Sequence, residues 1–127
     1  MTLDFTDDLG TRHFEFCFVG FVLGGSLQDR KTLTVLRREV ALFEKLEQIS
    51  ELKPCGKKMV NGEPERQVTP GARLEVEPVE FDLLYAYVSI VPWQAGTPAK
   101  QALDTLDWLQ RSAQADYDRQ QLHASRP

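Results

Sequence analysis

The sequence predicts a mainly helical α+β domain. Three observations carry that expectation. A wide apolar stripe at helical spacing runs through residues 27–50, two more helical patterns bounded by prolines follow at about 79–91 and 97–120, and the segment between them is too rich in Pro and Gly for a long helix. At 127 residues and 42% hydrophobic composition, the chain is the size of one domain, 1–127, with enough apolar side chain for a single core.

Residues 2–23 read best as a small β element. Leu3 and Phe5 alternate with Thr2, Asp4 and Thr6, and Asp7-Asp8-Leu9-Gly10 has turn chemistry. In His13-Phe14-Glu15-Phe16-Cys17-Phe18 a period of two puts three phenylalanines on one face. A helix over residues 12–23 is the open alternative, because Phe14, Phe18 and Phe21 also fit a 3.6-residue period. Gly20 and the shortage of strong helix formers favour the strand.

Gly24-Gly25 then interrupts the pattern. Ser26 with Asp29 resembles a capping box, which predicts a helix to about Ser50. Leu33, Leu36, Val40 and Phe43 recur at steps of three and four, and Val35, Leu42, Leu46 and Ile49 widen the stripe. So broad a stripe implies more than one neighbour, or another chain. Residues 51–77 form a turn-rich insert: Asn61-Gly62 predicts a tight hairpin and Pro70-Gly71 a type II turn. The segment reads equally well as short strands near 58–60, 66–68 and 73–76 or as a mobile surface excursion, because few of its residues are large and apolar.

From Pro78 nearly every residue is apolar, so the small and polar ones decide. Asp82, Ala86 and Ser89 fall on one narrow helical face opposite Phe81, Leu84 and Val88, which predicts a buried helix over 79–91 ended by Pro92. Thr97 and Pro98 are a good cap and first residue for the last helix, whose stripe is Ala102, Leu106, Leu109, Ala113 and Tyr117. The polar tail 119–127 is expected to fray. The expected core is Phe16, Phe18, Leu36, Val40, Phe43, Leu46, Phe81, Leu84, Val88, Leu106 and Leu109.

Chemistry-bearing patterns are scarce. His13 and His123 stand far apart, and Cys17 and Cys55 make no ligand pair with them, so no metal site is expected. Asp4, Asp7 and Asp8 lack the spacing of a calcium loop. Cys55 lies among Lys53, Lys57 and Lys58, which would favour its thiolate, yet it has no neighbouring base. Gly24-Gly25-Ser26 has neither the lysine nor the spacing of a phosphate loop. No catalytic residue and no cofactor are therefore expected. Asp4, Asp7 and Asp8 occupy the place of a signal peptide's positive charges, and the apolar run at 16–23 is far short of the ~20 residues that span a bilayer. The expectation is a cytoplasmic protein without a membrane segment. Its formal charge of −4 opposes general binding to phosphate backbones, so nucleic acid is not the expected partner.

One short motif resembles a family. Gly56-Lys57-Lys58-Met59-Val60-Asn61-Gly62-Glu63, followed by Pro70-Gly71 and Leu74-Glu75-Val76, is similar to the hairpin of S4-like RNA-binding domains, with Ala72 where that family usually has aspartate. The resemblance implies phosphate contacts from Lys57, Lys58, Arg66 and Arg73. A second resemblance is one of layout. An apolar N-terminal segment, a long helix with Arg37-Arg38, a polar insert and a closing helix pair look like small phage and prophage proteins of uncharacterised or assembly role.

The leading functional expectation is a non-enzymatic protein-interaction or assembly protein, of phage or mobile-element type. It would self-associate into a homo-oligomer, or bind a protein partner, through the wide stripe and the exposed parts of Tyr85, Tyr87 and Trp93. A small RNA-binding module built on residues 56–76 is the alternative.

Overall fold

A computed structural model describes residues 1–27, 30–54 and 59–124. Among these residues, four helices and six short strands follow one another: β1 (Thr2–Asp4), α1 (Gly10–Ser26), α2 (Leu33–Gln48), β2 (Ser50–Leu52), β3 (Met59–Val60), β4 (Glu63–Pro64), β5 (Arg66–Val68), β6 (Arg73–Glu75), α3 (Pro78–Ile90) and α4 (Thr97–Ala124). The mainly helical α+β class is as expected, but with four helices where the sequence predicts three.

The additional helix is α1. Its buried residues are Gly10, His13, Phe14, Cys17, Phe18, Gly20, Phe21, Gly24 and Gly25, which recur at steps of three and four. The period of two that predicts a strand is accidental, since Phe16 leaves the core and packs on Trp93 with ring centroids 5.1 Å apart. Glycine weakens an isolated helix, and here it has another use. A Cβ on Gly20 would stand 2.7 Å from Val88 Cγ2, and one on Gly24 would run into the backbone of Tyr87. The missing side chains are what let α1 and α3 lie so close.

α2 starts later than expected. Ser26 turns back to donate to the Leu23 carbonyl (2.7 Å) and belongs to the end of α1, while Asp29 lies outside the described residues. Thr32 is the cap in its place, its hydroxyl accepting from the Val35 amide at 3.3 Å. α3 opens with a capping box in which Glu77 and Glu80 each bond the other's backbone amide, with Pro78 in the first turn. α4 runs on through Ala124, so residues 119–124 are helical where fraying was expected.

The strands form three antiparallel pairs. β1 pairs with β6 with Leu3 opposite Leu74, β2 with β5 with Ser50 opposite Val68, and β3 with β4 across the Asn61-Gly62 turn. Both turn residues have positive φ, 48° and 88°, as a type I′ hairpin requires. Gly71 (φ 76°) lies in the second expected turn, closed by the Ala72 amide donating to the Thr69 carbonyl at 3.2 Å. The N-terminal β element is thus a single strand whose partner is β6, some seventy residues away, and its pairing depends on tertiary folding.

The core lies between α1 and α3, closed by α4, β1 and β6 at one end and by α2 at the other. An aromatic chain threads it: Phe5 meets Phe14 edge-on (5.7 Å, 84°), Phe14 stacks with Phe18 (6.1 Å), and Phe18 reaches Phe43 of α2 (6.2 Å). His13 stacks on Trp108 at 4.7 Å and lies 3.1 Å, through Nδ1, from the Thr105 hydroxyl oxygen. That hydroxyl gives its one proton to the Gln101 carbonyl (3.0 Å), so Nδ1 carries the hydrogen and donates. Of the expected core, Phe18, Leu46, Leu84, Val88 and Leu109 are buried, Phe43, Phe81 and Leu106 are packed at its edge, and Phe16 is a correction, lying outside it against Trp93. Leu36 and Val40 are corrections: both are exposed.

Candidate interaction surface

The sequence predicts one broad buried stripe on α2, and the structure divides that stripe in two. Val35, Leu42, Leu46 and Ile49 turn toward the domain, with Leu42 and Leu46 wholly buried. Leu33, Leu36 and Val40 stay outside, 81%, 39% and 56% exposed. Steps of three and four residues put these three on one side of the helix, so they form a continuous aliphatic row. Arg37 and Glu44 flank the row along a single edge. Both are exposed, and neither has an ion-pair partner among the described residues.

Beside the row, a groove of about 340 Å³ separates α2 from the last turns of α1. Phe21, Val22, Val40 and Phe43 give it apolar walls, and Asn61 and Glu63 of the β3–β4 hairpin stand at its rim. Its floor is polar. Lys31 Nζ lies 2.7 Å from Glu39 Oε1, and their side chains are only 11% and 15% exposed. The Tyr87 hydroxyl donates to the same carboxylate oxygen, and Lys31 also donates to the Gly25 carbonyl while sitting 5.4 Å above the Tyr87 ring. Burial, then the hydrogen bond to Glu39 and its negative charge, push the Tyr87 phenol well above its ordinary pKa, so it stays protonated. Every charged group on the floor is satisfied by another. The groove therefore offers apolar surface and a fixed charge pair.

The aromatic residues expected at an interaction surface are not brought together. Tyr87 is 1% exposed and lies beneath the groove, a correction to the exposure expected of it. Tyr85 stacks with Phe81 and accepts a hydrogen bond from Gln110 of α4 (2.7 Å). Trp93 packs on Phe16 of α1 and donates from Nε1 to the Val88 carbonyl at 3.0 Å. Each serves a different helix junction.

Of the residues expected to meet phosphate, Lys57 and Lys58 lie outside the described residues, as does Cys55. Arg66 is occupied by the fold, donating from Nε to the Ser50 hydroxyl (2.8 Å) and from Nη2 to the Ser50 carbonyl (3.2 Å). Arg73 is exposed, 3.6 Å from the Asp4 carboxylate. Cys17 is fully buried in α1, and desolvation pushes its thiol up to about 12. Among the described residues no three His, Cys, Asp or Glu side chains gather as metal ligands, and no helix is long and apolar enough to cross a membrane.

The sequence does signal the α2 row, through the excess width of the stripe. What it lacks is the rotation of the helix, which decides which half of the stripe faces outward. No family model, curated protein or solved structure matches this chain.

Proposed function

We infer that the chain is a non-enzymatic interaction or assembly protein that self-associates through the exposed face of α2. One observation carries this reading: three large aliphatic side chains, Leu33, Leu36 and Val40, stand in register in water on a helix whose other face is already packed. Single exposed leucines are ordinary on protein surfaces, whereas a contiguous row beside an apolar groove is a feature of docking surfaces. Covering such a row recovers ~25 cal/mol for each Å² removed from water. The paired charges beneath the groove fit the same reading, because they hold its wall in place and leave no unmatched reactive group.

Light scattering on the full chain over a concentration series tests the reading. The expected result is a mass above that of the monomer which rises with concentration. In Leu36→Asp and Val40→Asp the mass should return to that of the monomer while the circular dichroism spectrum is kept. A wild-type chain that remains strictly monomeric at millimolar concentration would overturn it.

A further inference from the structure

We propose that the occupant of the α2 row is the α2 row of a second copy, packed antiparallel about a two-fold axis beside Val40 and Ala41, with Arg37 of each copy facing Glu44 of the other. The inference rests on the self-association read above and adds its geometry.

Charge complementarity along one edge carries it. Arg37 and Glu44 lie seven residues apart, on the same side of the aliphatic row, both exposed and both without an ion-pair partner among the described residues. An antiparallel pair brings like edges together. A two-fold axis midway between positions 37 and 44 therefore makes two Arg37–Glu44 pairs by one operation, an isologous arrangement. It also sets Val40 against Phe43 of the other copy, at the mouth of the groove. The helix dipoles oppose one another, which is favourable in this arrangement.

Packed in parallel, the edge carrying Arg37 would meet the opposite edge of the second helix. Arg37 would then find only Thr32, and Glu44 would be directed toward Glu39, an acid already held by Lys31 and Tyr87. The surface available along a helix of 16 residues, about 24 Å, is small for an interface, so the complex should be weak, in the micromolar range.

Sedimentation velocity on Arg37→Glu, Glu44→Arg, their equimolar mixture and the double variant tests the geometry. Each single variant faces itself with two like-charge pairs and should associate about tenfold more weakly at low salt. Mixing the two singles should restore association, because every pair in that heterodimer is again opposite in sign. The double variant should recover it as well. Tighter association of Arg37→Glu, or no recovery on mixing, would overturn the antiparallel register while leaving the self-association intact. A wild-type chain that never associates would instead remove the functional reading on which the inference stands.

Discussion

Gly24 of α1 lies directly against the backbone of Tyr87 in α3, so near that the smallest side chain has no room between them. Gly24→Ala would gain up to ~1 kcal/mol of helix propensity. The obstacle is main chain, which cannot rotate away, so overpacking should win and lower stability by a net of about 1–3 kcal/mol. Gly25→Ala is the matched control. Its Cβ would rest 3.4 Å from Lys31 Nζ and from the Tyr87 ring, an ordinary contact, so stability should hold or rise slightly. Denaturant melts of the two variants check the contrast, and equal midpoints would refute the close approach of α1 to α3.

Leu84 and Val40 are both aliphatic residues in helices, yet they should respond oppositely to substitution. Leu84 is fully buried, and Leu84→Ala should cost about 2–5 kcal/mol. Val40 is more than half exposed, and at concentrations where the chain is monomeric Val40→Ala should stay within about 0.5 kcal/mol of wild type. Urea unfolding of both in dilute solution measures the difference. A large loss at Val40 in the monomer would mean that α2 is rotated from the position described.

Most of the helical architecture is legible in the amino-acid sequence. Capping and proline signals place α3 and α4 to within a residue at their starts, and turn chemistry locates the hairpin at Asn61-Gly62. Two things are not legible, for physical reasons. Gly10, Gly20 and Gly24 weaken a helix in isolation and become favourable only once Phe5, Val88 and Tyr87 are pressed against them, so local propensity points away from α1. The split of the α2 stripe depends on where α1 and α3 sit, since a periodicity of 3.6 marks a face without saying which half of a wide one is buried. Tyr87 is a milder case. Its aromatic bulk is the right signal, but the side chain lies beneath the candidate surface instead of on it.

Cys17 should be inert in the folded protein. With its thiol pushed up to about 12, almost no thiolate exists at neutral pH, and the sulfur is closed to solvent. Peptide mapping after iodoacetamide treatment at pH 8 should find Cys17 unlabelled in the native chain and fully labelled in guanidinium. Native labelling at a rate comparable to the unfolded chain would contradict its placement.

Acid should weaken the fold through His13. Burial lowers its pKa below the ordinary 6.5; Arg12 and Arg111 push the same way, against the opposing pull of Asp7 and Asp104. As pH falls through 6.5 the unfolded chain binds a proton that the folded one refuses. Stability should therefore be full above about pH 7 and decline as pH drops from there toward the lowered value. In His13→Gln that part of the slope should be absent, whatever the variant's starting stability. An imidazole titration by NMR that gave His13 a value above 6.5 would reverse the sign and refute the account.

The order in which α1 meets its neighbours has a consequence for how the protein is made. α1 is complete at Ser26, but the helix that fills its glycine notches ends only at Ile90. Ribosomes add ~5–20 residues per second, so a bare phenylalanine-rich helix must wait for roughly 3–13 seconds before its chief shield has been synthesised. During that interval nascent chains expose a greasy surface to one another, and yield in a cell should depend on chaperone supply and on translation speed more than the stability of the finished fold would suggest.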